Sequence, residues 1–482
     1  LPDPKLLDIH LIAIGGTGMA PLACLLAADG HRVRGSDVAV YAPMSTLLER
    51  SGIVPRLGYE AAHLEPRPDL VVVGNAVRRD NPEAVETERL GLARLSMPEA
   101  LARFFLADRE PLVVAGTHGK TTTSALAAWV WARCGRDPGF LIGGVPLDLG
   151  ESFRRGGGAR FVVEGDEYNA AYFDRGAKFL HYRPETVLLT SVEYDHADLY
   201  PEPAMLVEAY RKLARLIPAS GLLVACGDTR EVREVAREAR SQVVFYGAGA
   251  DNDVRFLGPP RASAAGVRFT VIERAGARFE LGLGVWGEHN ATNALAVWAA
   301  ARREGLEPER VAAAFAQFRG VARRQQVVGE AGGVTVVDDF AHHPTAVAKT
   351  LEALRTRFPG RRLIACFEPR SLTAGRAFFL DGYRSAFRAA DEVLLAPIFH
   401  RDRLAEGDRL DLSTLVADLV RAGTPAEALP AVETVLERTL ERARPGDLVV
   451  TMSSGSFGGL AGRLVRALAE RAGAGAAAPA VG

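Results

Sequence analysis

The chain has 482 residues, 48% hydrophobic and 24% charged, with a formal net charge of -1. That length fits about three ordinary domains, and the near-neutral balance supplies no field for gripping nucleic acid or an anionic membrane. Its four cysteines, Cys24, Cys134, Cys226 and Cys366, are far apart and form no C-x-x-C pair, which argues against a disulfide framework or a cysteine zinc site and fits a reducing cytoplasm.

In chain order, "DIHLIAIGG" reads as a buried strand and "MAPLACLLAADG" as a helix closed by Gly30; "HRVRGSD" and "DLVVVGN" read as further strands. This is the rhythm of a mostly parallel α/β sheet. It restarts at "EPLVVAGTHGK" and again near Val327, with "GVTVVDDFAHHP", "RRLIACFEPRS", "DEVLLAPIF" and "DLVVTMSSGS". The expected domains are therefore 1–108, 109–322 and 323–482. Between Val243 and Val285 the alternating, glycine-rich pattern predicts antiparallel hairpins added to the middle domain. The closing "AGAGAAAPAVG" is expected to fray. No 18-residue apolar run is free of charge, and the N-terminus has no secretory pattern, so neither membrane insertion nor export is expected.

Two loops point to phosphate. "IGGTGMAPLA" joins a strand to a helix, where backbone amides and the helix N-terminus can meet a pyrophosphate. Asp37, nineteen residues after Gly18, is placed to hold a ribose hydroxyl. Pro21 stands where a dinucleotide loop has its third glycine, so the pattern separates neither NAD from another pyrophosphate nor either from a bare turn. The second loop, "GTHGKTTT", lies between a strand and a helix. Its small residues let the backbone wrap phosphate oxygens, Lys120 supplies charge and Thr121 a hydroxyl for magnesium. Val114 occupies the position where the longer form of such loops has glycine. Downstream, "FVVEGDE" and "VLLTSVEYDHADLY" bring Glu164, Asp166, Glu167, Glu193, Asp195, His196 and Asp198 to strand ends, as magnesium ligands or their partners.

"GTHGKTTT", "EGDEY", "EYDHAD", "GEHNATNALAV" and "DDFAHHPTAV", in this order, resemble the Mur ligases, ATP-dependent amide-forming enzymes of bacterial cell-wall synthesis. The resemblance covers nearly the whole chain and accounts for Val114, because the family's loop is the shorter G-T-x-G-K-[ST] starting at Gly116. It implies Rossmann-like N- and C-terminal domains around a central P-loop ATPase domain. Two branches come close: one adds L-alanine to UDP-N-acetylmuramate, the other adds the tripeptide L-alanyl-γ-D-glutamyl-meso-diaminopimelate during peptidoglycan recycling. "SDVAVYAPMSTLLE", Tyr168 and Ala346 favour the tripeptide branch.

The resemblance also implies a site. Gly15, Gly18 and Met19 would line the UDP pyrophosphate, with Ser36 and Asp37 nearby. ATP would lie along Gly116, Thr117, His118, Gly119, Lys120, Thr121 and Thr122, with Lys120 on its terminal phosphates. Thr121 and Glu164 would hold one Mg2+ and His196 a second. His289, Asn290 and Asn293 match the adenine-side motif. Arg323 or Arg324 would reach the γ-phosphate, and Asp338 or Asp339 the ribose. His342 and His343 would face the interdomain cleft, and Arg370 in "FEPRS" would contact a donor carboxylate. Gly165, Ser191 and Asn169 depart from the family's usual residues at details around the nucleotide. A nicotinamide-dependent oxidoreductase, prompted by the first loop, gives no role to Lys120, Glu164 or His196; a non-catalytic ATP switch would show no amine-dependent turnover.

Overall fold

The computed structural model describes residues 6–41 and 43–476. Three sheets follow one another along the chain. The first has five parallel strands in the order Arg56–Leu57, Arg32–Asp37, Asp8–Ile12, Leu70–Val73 and Arg94–Ser96. Strand order reverses direction beside Asp8–Ile12, so the glycine loop that follows it opens into the crevice where such sheets take ligands. Val71, Val72 and Val73 have no exposed surface, as expected for strands covered on both faces.

The central sheet has eleven strands. Glu110–Ala115, which enters the second phosphate loop, sits between Arg160–Gly165 and Thr186–Leu189, parallel to both. Register places Glu164 opposite Val114 and Leu189 opposite Ala115, so the acidic segments and the loop leave the sheet at the same edge. The antiparallel addition is real but starts later than the sequence pattern predicts. Gln242–Gly247 is parallel to both of its neighbours, and antiparallel pairing begins where Val254–Phe256 meets Gly266–Glu273. Alternation marks a strand with one face less buried, not the direction of its partner.

The third sheet has six strands, antiparallel only between Gln326–Ala331 and Val334–Asp339. Of the tail expected to fray, residues 472–476 continue the helix Leu460–Ala476, and 477–482 lie outside the described residues, as does Ala42 of the "YAPMST" segment. All four cysteines are buried and free. Among the described residues no helix is long and apolar enough to cross a membrane.

Candidate active site

The loop at the end of Glu110–Ala115 needs its glycines. Gly116 has φ +130° and Gly119 φ +81°, conformations that side chains resist. A Cβ on Gly116 would lie 2.2 Å from Thr190 Oγ1, and one on Gly119 2.7 Å from Asn293 Oδ1. Gly119 is also the residue before the helix Lys120–Arg133, whose free N–H groups face the loop. Gly119→Ala is expected to destabilise the protein by about 1–2 kcal/mol through its left-handed backbone alone. Displacing Asn293 should weaken nucleotide binding besides; thermal unfolding and the ATP KM report the two effects separately.

Lys120 is mostly buried. Its Nζ donates to Gly116 O at 2.8 Å and to Glu167 Oε2 at 2.8 Å. Burial opposes the ammonium charge, but Glu167 and Asp166 outweigh it and hold the Lys120 pKa above its ordinary value. Glu167 also meets His196, 3.0 Å from Nε2. Burial raises the Glu167 pKa, yet Lys120 and His196 together pull it down to about 2. Conversely, burial lowers His196, but Glu167 and Asp195 raise it to about 9. The three side chains thus form a charged cluster beside the phosphate loop.

Glu164 stands apart from that cluster. Its Oε2 accepts from Thr121 Oγ1 at 3.2 Å and its Oε1 from the Gly143 amide at 2.7 Å. Burial and Asp166 push its carboxyl up to about 7, outweighing the Gly143 amide and the charges of Arg324 and Lys120. Thr121 and Glu164 therefore come together as expected, whereas His196 is paired with a different carboxylate, Glu167. Tyr168 packs against His196 at 5.4 Å between ring centroids.

The third domain closes the site. Arg324 Nη2 donates to Thr121 Oγ1 at 3.0 Å, and its guanidinium lies over Phe340 at 4.6 Å. Arg323 turns away, donating from Nε to Asp338 at 3.0 Å and from Nη2 to the carbonyls of Ser453 and Gly455. Arg323 and Gln325 have φ of +61° and +48°, and this reversal sends neighbouring arginines into different surroundings. The two aspartates also differ. Asp339 accepts from the amides of Gln325 and Ala341, both at 2.7 Å, and is fully engaged in the turn. Asp338 is bound at one edge by Arg323 and at the other by Thr451 Oγ1.

His289 lies 3.2 Å from the Gln325 side chain, and burial pushes its pKa down to about 4. Asn290 donates to Trp286 O at 2.7 Å, and Asn293 Nδ2 to Asn290 Oδ1 at 3.4 Å. These residues begin the helix Glu288–Arg303 beside Gly119. His118 approaches Glu193 at 3.1 Å, and Glu193 also accepts from Thr345 Oγ1 at 2.8 Å across the domain boundary. His342 Nε2 is 4.0 Å from Asp195 Oδ2. Arg370 lies over the Phe399 ring at 3.7 Å and 3.4 Å from Glu368; a Cβ on Gly455 would clash with it, so it borders the loop that holds Arg323.

In the first domain, the Gly15 amide donates to Asp37 Oδ2 at 2.9 Å, and Gly18 precedes the helix Met19–Ala28. Met19 is buried under the loop. Ser36 lies behind it, fully buried, its hydroxyl donating to Glu83 at 2.6 Å. No motif in the sequence singles out Glu83, Phe340 or Thr345, and Glu167 and Glu193 stand there only as members of acidic runs. Glu167 was legible as a carboxylate near the loop; its joint grip on Lys120 and His196 was not, because three distant segments supply it.

Comparison with known proteins gives three consecutive family matches: "Mur ligase family, catalytic domain" over residues 8–109, "Mur ligase middle domain" over 114–301 and "Mur ligase, glutamate ligase domain" over 323–455. The chain is 39% identical to the UDP-N-acetylmuramate–L-alanyl-γ-D-glutamyl-meso-2,6-diaminoheptandioate ligase of Escherichia coli K12, over 96% of this chain and 99% of that protein. It is 34% identical to the UDP-N-acetylmuramate–L-alanine ligase of Desulforamulus reducens, over 96% and 98%. Among solved structures, the murein peptide ligase of Psychrobacter arcticus 273-4 matches with a TM-score of 0.73 and 34% identity, covering 96% of this chain and 99% of that one.

Proposed function

This chain belongs to the Mur ligase family, and on that premise we propose that it joins L-alanyl-γ-D-glutamyl-meso-diaminopimelate to UDP-N-acetylmuramate at the expense of ATP, in the cytoplasm, for peptidoglycan recycling. The single observation that carries this reading is the tripeptide ligase of E. coli, similar along essentially its full length. The geometry supplies the means: Lys120, Thr121 and Arg324 converge on one loop from two domains.

A carboxylate does not condense with an amine until its oxygen becomes a good leaving group. The muramyl carboxylate attacks the terminal phosphorus of ATP, giving an acyl phosphate and ADP. The L-alanyl amine then attacks the acyl carbon, phosphate departs, and the amine gives up a proton. Protein groups contribute position and charge rather than covalent chemistry. Lys120 and Arg324 bracket the phosphate position, and Asp338 lies on the adjoining strand for the ribose. The first-domain loop around Gly15, Gly18 and Asp37 holds the UDP end. His342, His343 and Arg370 line the C-terminal side, where the peptide enters. Closure of that domain keeps water from the acyl phosphate.

The donor set fits magnesium. A hydroxyl and a carboxylate with a raised pKa, Thr121 and Glu164, form one seat, and Glu167 with His196 forms a second; water and phosphate oxygens complete such shells. When bound, the ions neutralise charge on the transferring phosphoryl group. His196 is protonated at neutral pH in the free protein, because its pKa is raised to about 9. Its pairing with Glu167 therefore stabilises the fold fully below its unfolded pKa of about 6.5 and is lost as pH rises through 9. A metal must displace that proton, so Mn2+ affinity at this seat is expected to rise about tenfold from pH 7 to pH 8. Mn2+ titration by electron paramagnetic resonance checks this; a flat profile would remove His196 from the metal shell.

The function is tested by ADP release with UDP-N-acetylmuramate, Mg2+ and either L-alanine or the tripeptide. Tripeptide-dependent release and no response to L-alanine is the expected result; turnover with L-alanine alone would assign the chain to the other branch.

A further inference from the structure

His118, Glu193 and His343 each offer one ligand atom, and these atoms all lie within 4.8 Å of one another. His118 Nε2 is 3.1 Å and His343 Nδ1 3.9 Å from the same Glu193 oxygen. Donors on a tetrahedral zinc ion, with arms of about 2.0–2.1 Å, stand about 3.3 Å apart. Small side-chain rotations bring the three groups to that spacing. Two imidazoles and one carboxylate suit Zn2+ far better than Mg2+, whose shell is built mainly from oxygen and takes at most an occasional nitrogen.

The ligands are held from behind. The His118 amide donates to Ser191 Oγ at 3.0 Å, and Thr117 Oγ1 exchanges hydrogen bonds with the backbone of Glu193, donating to its carbonyl at 2.9 Å and accepting from its amide at 2.8 Å. His343 precedes the helix Pro344–Arg357, and Phe379 packs edge-on against its ring at 4.7 Å. The two imidazole rings lie with centroids 4.6 Å apart, tilted 51° to each other.

We propose that His118, Glu193 and His343 bind one zinc-class ion that fastens the C-terminal domain to the phosphate loop, a role separate from the magnesium that accompanies ATP. The ion takes the place of the hydrogen that His118 shares with Glu193; that ring then carries its proton on Nδ1. It also replaces the Thr345 amide, which donates to His343 Nδ1 at 3.2 Å. Thr345 Oγ1 keeps its bond to Glu193 and orients the carboxylate. Three protein ligands leave a fourth position for water or a phosphate oxygen. Because the ligands come from both sides of the domain boundary, a filled site holds the closed arrangement and slows turnover in a way that extra Mg2+ does not relieve. That effect on turnover rests on the ligase reading; occupancy does not.

The test uses the full chain, stripped by a chelator and titrated with ZnCl2 against a chromophoric chelator, without nucleotide. One equivalent is expected to bind, with X-ray absorption showing two imidazoles at about 2.0 Å. His343→Ala and His118→Ala should each weaken binding at least about tenfold. His181→Ala, in a separate group with Glu99 and Asp174, should leave it unchanged. Absence of stoichiometric binding, a wild-type spectrum without two imidazoles, or loss confined to His181→Ala would overturn the proposal. The wild-type spectrum decides the matter even where a variant fails to fold. A failed zinc titration leaves the ligase reading intact, and a failed ligase assay leaves the titration interpretable.

Discussion

Replacing Lys120 with alanine is expected to lower tripeptide-dependent ADP release by about 10³-fold or more, the scale on which a cation at a transferring phosphoryl group acts. The loss has two sources. The ammonium proposed to meet the terminal phosphates disappears, and Glu167, 1% exposed, loses one of its two charged partners. A buried carboxylate left with no cation costs about 3–5 kcal/mol; Glu167 keeps His196, so the thermal unfolding temperature should fall by a part of that, together with activity. Lys120→Arg keeps the charge but offers Gly116 O and Glu167 a planar fork in place of a compact ammonium; it should recover stability more than turnover. A Lys120→Ala enzyme with full activity would show that phosphate transfer happens elsewhere.

Arg324→Ala is expected to reduce kcat/KM by about 10²–10³-fold, comparable to removing one preorganised donor from a developing charge. Arg324 reaches Thr121 from the third domain and is steadied by the Phe340 ring. On the proposed reaction it would place charge at the phosphates only when the domains are closed. Arg323→Ala should behave differently. That guanidinium ties Asp338 to the carbonyls of Ser453 and Gly455, so its loss should show mainly as reduced stability and a changed ATP KM. Steady-state assays of the two variants side by side decide between the neighbours. A large kcat loss confined to Arg323→Ala would reverse their roles.

Much of this site was legible along the chain because its chemistry is local. Glycines at 116 and 119, the lysine after them and the helix that follows form one contiguous motif, and each residue's purpose can be read from its neighbours. The parallel strands were legible for the same reason, since continuous apolar runs such as Leu70–Val73 belong only in covered sheets. The direction of Gln242–Gly247 was not legible, because pairing direction depends on which strand arrives beside it. Nor was the helical continuation through residues 472–476, because a run of small residues carries no strong periodic signal.

The sequence by itself determined the family, the three α/β units and the short loop at 116–121 with the residue types around it, because these are written in short motifs and in hydrophobic periodicity. Only the tertiary structure decided how those residues are partnered. It paired His196 with Glu167, turned Arg324 toward the glycine loop at 116–119 and Arg323 away from it, and occupied Asp339 within its own turn. It also brought ligand atoms of His118, Glu193 and His343 within 4.8 Å of one another. Motifs specify side chains and local backbone; charge pairing depends on distances between segments far apart in the chain, and those distances are fixed only when the sheets pack and the domains close.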